Sequence, residues 1–266
     1  MQRTSRDAFL RGRIVAVQPQ AGHHRAGLDA LLLAAAFGGE CAGKVVDLGA
    51  GVGVAGMALA ARAAAVHVTL AEREGDLVAC AAEAVTLREN AGFADRITIA
   101  AADILDPAAR LAAGIEPAAF EWALMNPPFH DQRRVRASPN HARARAHVLA
   151  EGGLDDWFRA AAALVKPGGS LAVILPAARL GDLMSGMGGR FGAVALLPVQ
   201  PRPGEAAIRV LVRAIKGSRA PLSLLAGLDL HEAAGSAFSA PVCAMLGDGA
   251  GLGDVHMSWR ALFGAA

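Results

Sequence analysis

Paired cysteines, long apolar runs and an excess of one charge are all missing from this chain, and each absence excludes something. Among its 266 residues are three cysteines. They stand isolated at Cys41, Cys80 and Cys243, with none of the spacings of a zinc site or a disulfide framework, and read as reduced packing residues. The composition is 54% apolar, yet no run approaches the roughly 18 to 20 residues that a membrane-spanning helix needs, which predicts a soluble protein. The opening Met-Gln-Arg-Thr-Ser-Arg-Asp is not followed by a hydrophobic signal segment, and the cytoplasm is the expected location. Lys and Arg exceed Asp and Glu by only two charges. A nucleic-acid partner would therefore have to be held by a local basic patch. No internal repeat and no second domain are visible, so one large domain is expected.

What is present is an alternation of strand-like and helix-like apolar runs punctuated by glycine and proline. Residues 9–18 read as a hairpin turning at Gly12 and closed by Pro19. A polar loop, 21–27, then feeds an apolar helix over 28–37. His23 and His24 are adjacent, so their side chains point apart, and no carboxylate stands at helical spacing from them; no metal is expected. Arg25 and Asp29 are better candidates for lining a pocket, against the plainer reading of a solvated arginine and a helix-start aspartate.

The most regular block follows. A strand over 44–48 runs into Gly49-Ala-Gly51-Val-Gly53-Val-Ala-Gly56 and a helix ending near Arg62. Such glycines let backbone approach a ligand, and the helix start offers free amides. The run matches G-x-G-x-x-G, a weak signal alone, so a nicotinamide dehydrogenase has to be weighed. A second strand, 65–71, ends in Glu72, which is placed to accept both hydroxyls of a ribose. After a helix over 76–90, a third strand, 96–101, leads to Asp103, placed either to accept an adenine amine or to cap a turn. A fourth, 120–125, delivers Asn126. In open α/β sheets ligands bind at this edge, so three strand tips and one glycine loop converge on one crevice.

Asn126-Pro127-Pro128-Phe129 is the stretch around which the rest is organised. Two prolines fix φ and remove two amide donors, so the segment forms a stiff turn. Asn126, before a proline, is held extended with its side-chain amide and the Pro127 carbonyl open to partners. An amide, a bare carbonyl and a ring on one rigid turn suit a planar molecule bearing an NH2 group. Beyond it, residues 130–149 are arginine-rich, including Arg133, Arg134 and Arg136, and this charge suits phosphates unless it is simply a solvated face. A helix over 155–165 stops at Lys166-Pro-Gly-Gly169. Strands follow at 170–175, 193–199 and 207–215, the last two joined closely enough to pair antiparallel. The tail carries one expected strand at 224–230, and His231, Glu232 and His256 read as surface or packing residues.

With Asp47-Leu-Gly49-Ala-Gly51-Val-Gly53, Glu72, Asp103 and Asn126-Pro127-Pro128-Phe129 in this order, the chain resembles the class I S-adenosylmethionine-dependent methyltransferases, and among them those that modify adenine N6, cytosine N4 or glutamine N5. More narrowly, Phe9-Leu-Arg-Gly12-Arg13, Gln18-Pro19, His24-Arg25-Ala-Gly27-Leu-Asp29 and Leu154-Asp-Asp-Trp157 resemble the bacterial family that methylates N6 of the adenine beside the anticodon of a valine tRNA. The resemblance implies a Rossmann-like α/β fold: a seven-stranded, mostly parallel sheet with an antiparallel last strand and helices on both faces. It divides the chain into a hairpin and helix (1–40), an S-adenosylmethionine-binding core (41–216) and a C-terminal extension (217–266). Gly49, Gly51 and Gly53 would pass under the methionine moiety, Glu72 would hold the ribose and Asp103 the adenine. Asp47 would order the loop and reach the ammonium through water, with Asp29 and Asn126 also on the cofactor side. Asn126, Pro127, Pro128 and Phe129 would form the catalytic turn, and Arg25, Arg133, Arg134 and Arg136 would bind an RNA substrate.

Four rivals remain. A dehydrogenase explains the glycines and Glu72 but leaves Asn-Pro-Pro-Phe without a role. Glutamine methylation of a translation factor uses the same chemistry, though enzymes of that kind carry a longer helical domain ahead of the glycine loop. DNA methylation usually calls for a separate recognition domain. The last rival is a non-catalytic RNA- or cofactor-binding module, against which the intact Asn126-Pro127-Pro128-Phe129 stands.

Overall fold

The computed structural model describes residues 3–23, 25–39, 41–128 and 153–263. The chain opens with an antiparallel hairpin, β1 (Thr4–Phe9) and β2 (Ile14–Pro19). Its first strand lies earlier than the expected 9–18 stretch, while the turn falls as expected, through Leu10, Arg11 and Gly12 at positive φ. Helix α1 (Leu28–Ala35), apolar except for Asp29 in its first turn, is buried from Ala30 to Ala35, as a helix apolar on every face over that stretch must be.

The main sheet alternates with helices: β3 (Ala42–Leu48), α2 (Val54–Arg62), β4 (Ala65–Glu72), α3 (Gly75–Val85), β5 (Ile97–Ala101), α4 (Pro107–Ala112), β6 (Phe120–Met125), α5 (Leu154–Leu164), β7 (Val165–Pro176), α6 (Leu180–Met187), β8 (Phe191–Gln200) and β9 (Arg209–Lys216). Among the described residues these seven long strands stand in the order β8-β9-β7-β6-β3-β4-β5, and two-residue strands β10 (Ser223–Leu224) and β11 (Leu228–Asp229) pair with β8. Only β9 runs against its neighbours within that set. This is the expected mostly parallel Rossmann-like sheet with an antiparallel last long strand.

Alternation along the strands divides the core into two layers. Val45, Leu124, Ala172, Ile174 and Leu211 face α1, α2 and α3, whereas Val46, Ala123, Met125, Val173 and Val212 face α5 and α6. A period of two is what a sheet covered on both faces requires.

Three boundaries depart from expectation. The helix expected to reach Asn90 ends at Val85: the Thr86 hydroxyl donates back to the Glu83 carbonyl, and the Asn90 amide takes the Ala84 carbonyl. Helix α5 ends one residue early because Val165 already pairs with Phe120; pairing resumes at Ser170 opposite Trp122, leaving Lys166–Gly169 as a bulge. The tail strand expected over 224–230 is split into β10 and β11. Among the cysteines, Cys41 and Cys80 are buried, but Cys243 is exposed and is no packing residue.

Candidate active site

The loop between β3 and α2 passes through three left-handed glycines, Gly49, Gly51 and Gly53, a conformation that side chains resist. Each glycine meets a different surrounding. A Cβ on Gly49 would stand 2.6 Å from the Trp157 ring, and one on Gly53 would stand 2.6 Å from Leu70, whereas Gly51 has open space beside it. Gly51 thus presents bare backbone to the cleft, while Gly53 packs on β4 and is not part of the lining. Gly56, in the first turn of α2, lets that helix lie against Leu70 and Val68, where a Cβ would meet atoms at 2.4 and 2.9 Å.

Two carboxylates brace this loop. Asp47, at the end of β3 and only 3% exposed, accepts the Gly56 amide at 2.9 Å. Burial pushes its carboxyl up to about 7, opposed by the Gly56 hydrogen bond and reinforced by the nearby charge of Glu72. Glu72, at the tip of β4, accepts the Gly51 amide at 2.8 Å through Oε2, and the Arg73 and Glu74 amides at 2.8 and 2.9 Å through Oε1. One strand further, Asp103 caps the Leu105 amide at 2.9 Å and lies 3.6 Å from the Arg73 guanidinium. The plainer reading of Asp103 as a turn cap therefore holds alongside its place on the cleft wall.

These tips border a cleft of about 1030 Å³, lined also by Arg25, Asp29, Asn126, Pro127, Pro128 and Trp157. That volume is at the top of the range for small-molecule sites, roughly 300 to 1,000 Å³. Pro127 is buried and Pro128 exposed. The Asn126 Oδ1 atom is buried and has no hydrogen-bond partner among the described residues. Arg25 lines the rim but is engaged by Asp7 and by Ser5 Oγ. Asp29 accepts Arg209 Nε at 2.9 Å. Phe129, Arg133, Arg134 and Arg136 lie outside the described residues.

The methyltransferase small domain profile matches residues 23–197. A predicted O-methyltransferase from Agrobacterium tumefaciens is 37% identical, with 82% of this chain and 94% of that one covered at a TM-score of 0.70. The chain belongs to the methyltransferase small domain family. A putative transferase from Pyrococcus horikoshii, 12% identical, shares the fold at a TM-score of 0.51 over 82% of this chain and 74% of its own. No curated protein matches.

The protein is thus an S-adenosylmethionine-dependent methyltransferase, and its residues fit that cofactor. Carboxylates on successive strand tips suit a ribose diol and an adenine amine, bare backbone at Gly51 suits a close-lying chain, and the partnerless Asn126 oxygen is a buried acceptor of the kind that a ligand satisfies. Among the described residues no group of His, Cys, Asp and Glu is arranged to hold a metal ion, and no helix is long and apolar enough to cross a membrane.

Two lining residues of this methyltransferase had no role assigned from sequence. Trp157 appeared only as part of the resemblance, although its ring is what makes Gly49 obligatory. Arg209, at the start of β9, gave no local signal, because its partner Asp29 lies 180 positions away.

Proposed function

We propose that this methyltransferase is an N-methyltransferase acting on N6 of an adenine in RNA, with a tRNA adenine near the anticodon as the favoured target. The observation that carries the reading is the buried, partnerless Asn126 Oδ1 among the described residues, on a turn whose next residue offers a carbonyl and no amide. Leaving such an atom unpaired costs about 1 to 3 kcal/mol, which an amine donor in the cleft recovers.

S-adenosylmethionine, when bound, supplies an electrophilic sulfonium methyl. The chain's own part begins with a poor nucleophile, since the lone pair of an aryl NH2 is delocalised into its ring. Accepting one proton at Asn126 Oδ1 and the other at the Pro127 carbonyl draws the nitrogen toward tetrahedral geometry and returns the lone pair to it. Aimed acceptors of this kind lower a barrier by on the order of 3 kcal/mol, and holding the nitrogen in line contributes further. After transfer the nitrogen is cationic and acidic, and it releases a proton to water or to the same acceptors, so no dedicated base is needed. In this reading Glu72 holds the ribose, Asp103 the adenine, and Gly49 and Gly51 pass under the methionine moiety with Gly53 packed behind them on β4, within a core over 41–216. Asp47 orders that loop and Phe129 stacks on the acceptor. Arg133, Arg134 and Arg136 attract the RNA.

The test is mass spectrometry of nucleosides from tRNA of a deletion strain, followed by methylation of that tRNA with purified enzyme. One missing N6-methyladenosine, restored in vitro, is the expected result. A missing 2′-O-methyl nucleoside would transfer the protein to oxygen chemistry, as the name of its Agrobacterium relative suggests for that protein, and a methylated glutamine in a translation factor would replace RNA by protein. Asn126→Ala should lower turnover by about 10²- to 10³-fold with cofactor affinity nearly intact; an equal loss of cofactor affinity would refute the acceptor role.

A further inference from the structure

Opposite the glycine loop the cleft is closed by Val199, Ile208, Arg209 and Leu230. Three of these are apolar. Arg209 donates from Nε to Asp29 at 2.9 Å and from Nη1 to the Ile208 carbonyl at 3.1 Å. Both members of the ion pair are mostly covered, with side chains 28% and 21% exposed. For a pair covered this far, desolvation roughly offsets attraction, so stability is a weak reason for placing it in an apolar wall. Fixing a guanidinium in one orientation is a better one.

Strand order and register place Arg209 relative to Asn126. β9 is bonded to β7, and β7 to β6, the strand that delivers Asn126. Two strand spacings of about 4.8 Å put Arg209 roughly 10 Å to the side of Asn126. Met125 is level with Val173, which pairs with Val212, and Arg209 lies three residues further toward the ligand-binding edge. A nucleotide whose exocyclic amine rests on Asn126 carries its sugar and phosphate across about that span.

Resting on the RNA N-methyltransferase reading above, we propose that Arg209, oriented by Asp29, binds the phosphate of the nucleotide whose amine is methylated. Asp29 then serves the acceptor through Arg209. A guanidinium recognises phosphate through paired charged hydrogen bonds, and the neutral amide of a glutamine side chain makes no such demand. This contact selects for a nucleotide.

The experiment compares wild type with Arg209→Gln, Arg209→Lys and Asp29→Asn on tRNA and on a short adenosine-containing oligoribonucleotide, across a salt series, with S-adenosylmethionine binding measured by calorimetry. Arg209→Gln should raise KM for RNA about ten- to hundredfold and flatten the dependence of log KM on log salt by about 0.7, with cofactor affinity unchanged. Arg209→Lys should keep the salt slope but not the full affinity, and Asp29→Asn should raise KM with the slope retained. Unchanged RNA KM and slope in Arg209→Gln would overturn the inference alone, as would a parallel loss of cofactor affinity, which would place the pair at the cofactor. Should Arg209→Gln fail to fold, Arg209→Lys decides, since a purely structural arginine leaves RNA KM at the wild-type value. Wild-type enzyme that leaves RNA unmethylated overturns the functional reading as well, so the two failures are distinguishable.

Discussion

Asp47 is a carboxylate in conflict with its surroundings. Burial favours its neutral form, Glu72 adds to that preference, and one amide from Gly56 opposes it, with the balance at about 7. Because the folded chain then binds this proton more tightly than the unfolded chain, the contribution of Asp47 to stability is present at acid pH and is lost as pH rises through about 7. Asp47→Asn keeps an oxygen for Gly56 and removes the charge. It should therefore gain in melting temperature relative to wild type between pH 5 and pH 8, and calorimetric melts at the two values check the sign. On the proposed reading, which sets Asp47 toward the cationic ligand, the same variant should also bind S-adenosylmethionine more weakly. At this scale much was readable beforehand. Glu72, Asp103 and Asn126 were located as strand tips, because a strand end followed by a turn is a local pattern. Asp47 was legible as a loop-ordering residue, but its protonation was not, since that depends on packing from α2 and β4.

Specific polar contacts tie elements together beside the apolar core. The hairpin is joined to the α3 region by Asn90, fully buried, whose side chain accepts the Val15 amide at 2.9 Å and donates to the carbonyls of Val15 and Ala84, both at 2.7 Å. Asn90→Ala strands buried backbone groups on both elements and should cost about 2 to 4 kcal/mol, which urea unfolding measures. Through the hairpin the effect reaches the cleft: Gln18 on β2 accepts the Ala26 amide at 2.8 Å and donates to Asp7 at 2.6 Å, and Asp7 holds Arg25. Arg25 was expected at the substrate, and the structure adds that its rim position is set by this network. The strands and the first three helices of the core were legible from periodicity and glycine punctuation. Their ends were less so. Val165 leaves the helix for the sheet because Phe120 is there to pair with it, and no property of Val165 announces that partner.

For the whole molecule, the cleft is the meeting place of the ends of six strands (β3, β4, β5, β6, β8 and β9), the first turn of α1 and one helix of the opposite layer. A ligand that bridges so many elements stabilises the folded chain by mass action. At a hundred times its dissociation constant S-adenosylmethionine should contribute about 2.7 kcal/mol, or roughly 5 to 10 °C for a domain of this size. Thermal melts with and without it check this, and a shift lost in Glu72→Ala would locate the ligand on β4. The sequence by itself determined the layered α/β class, the glycine loop, the carboxylate tips and the Asn126-Pro127-Pro128 turn, because each rests on a short-range demand of the backbone: a period of two, a positive φ, a missing amide. Tertiary structure alone decided which residues close the cleft. Trp157 over Gly49 and Arg209 against Asp29 exist only because the crossovers set α5 beside the loop and β9 beside β7, and contacts of that kind are fixed by strand order, which no local stretch of the chain encodes.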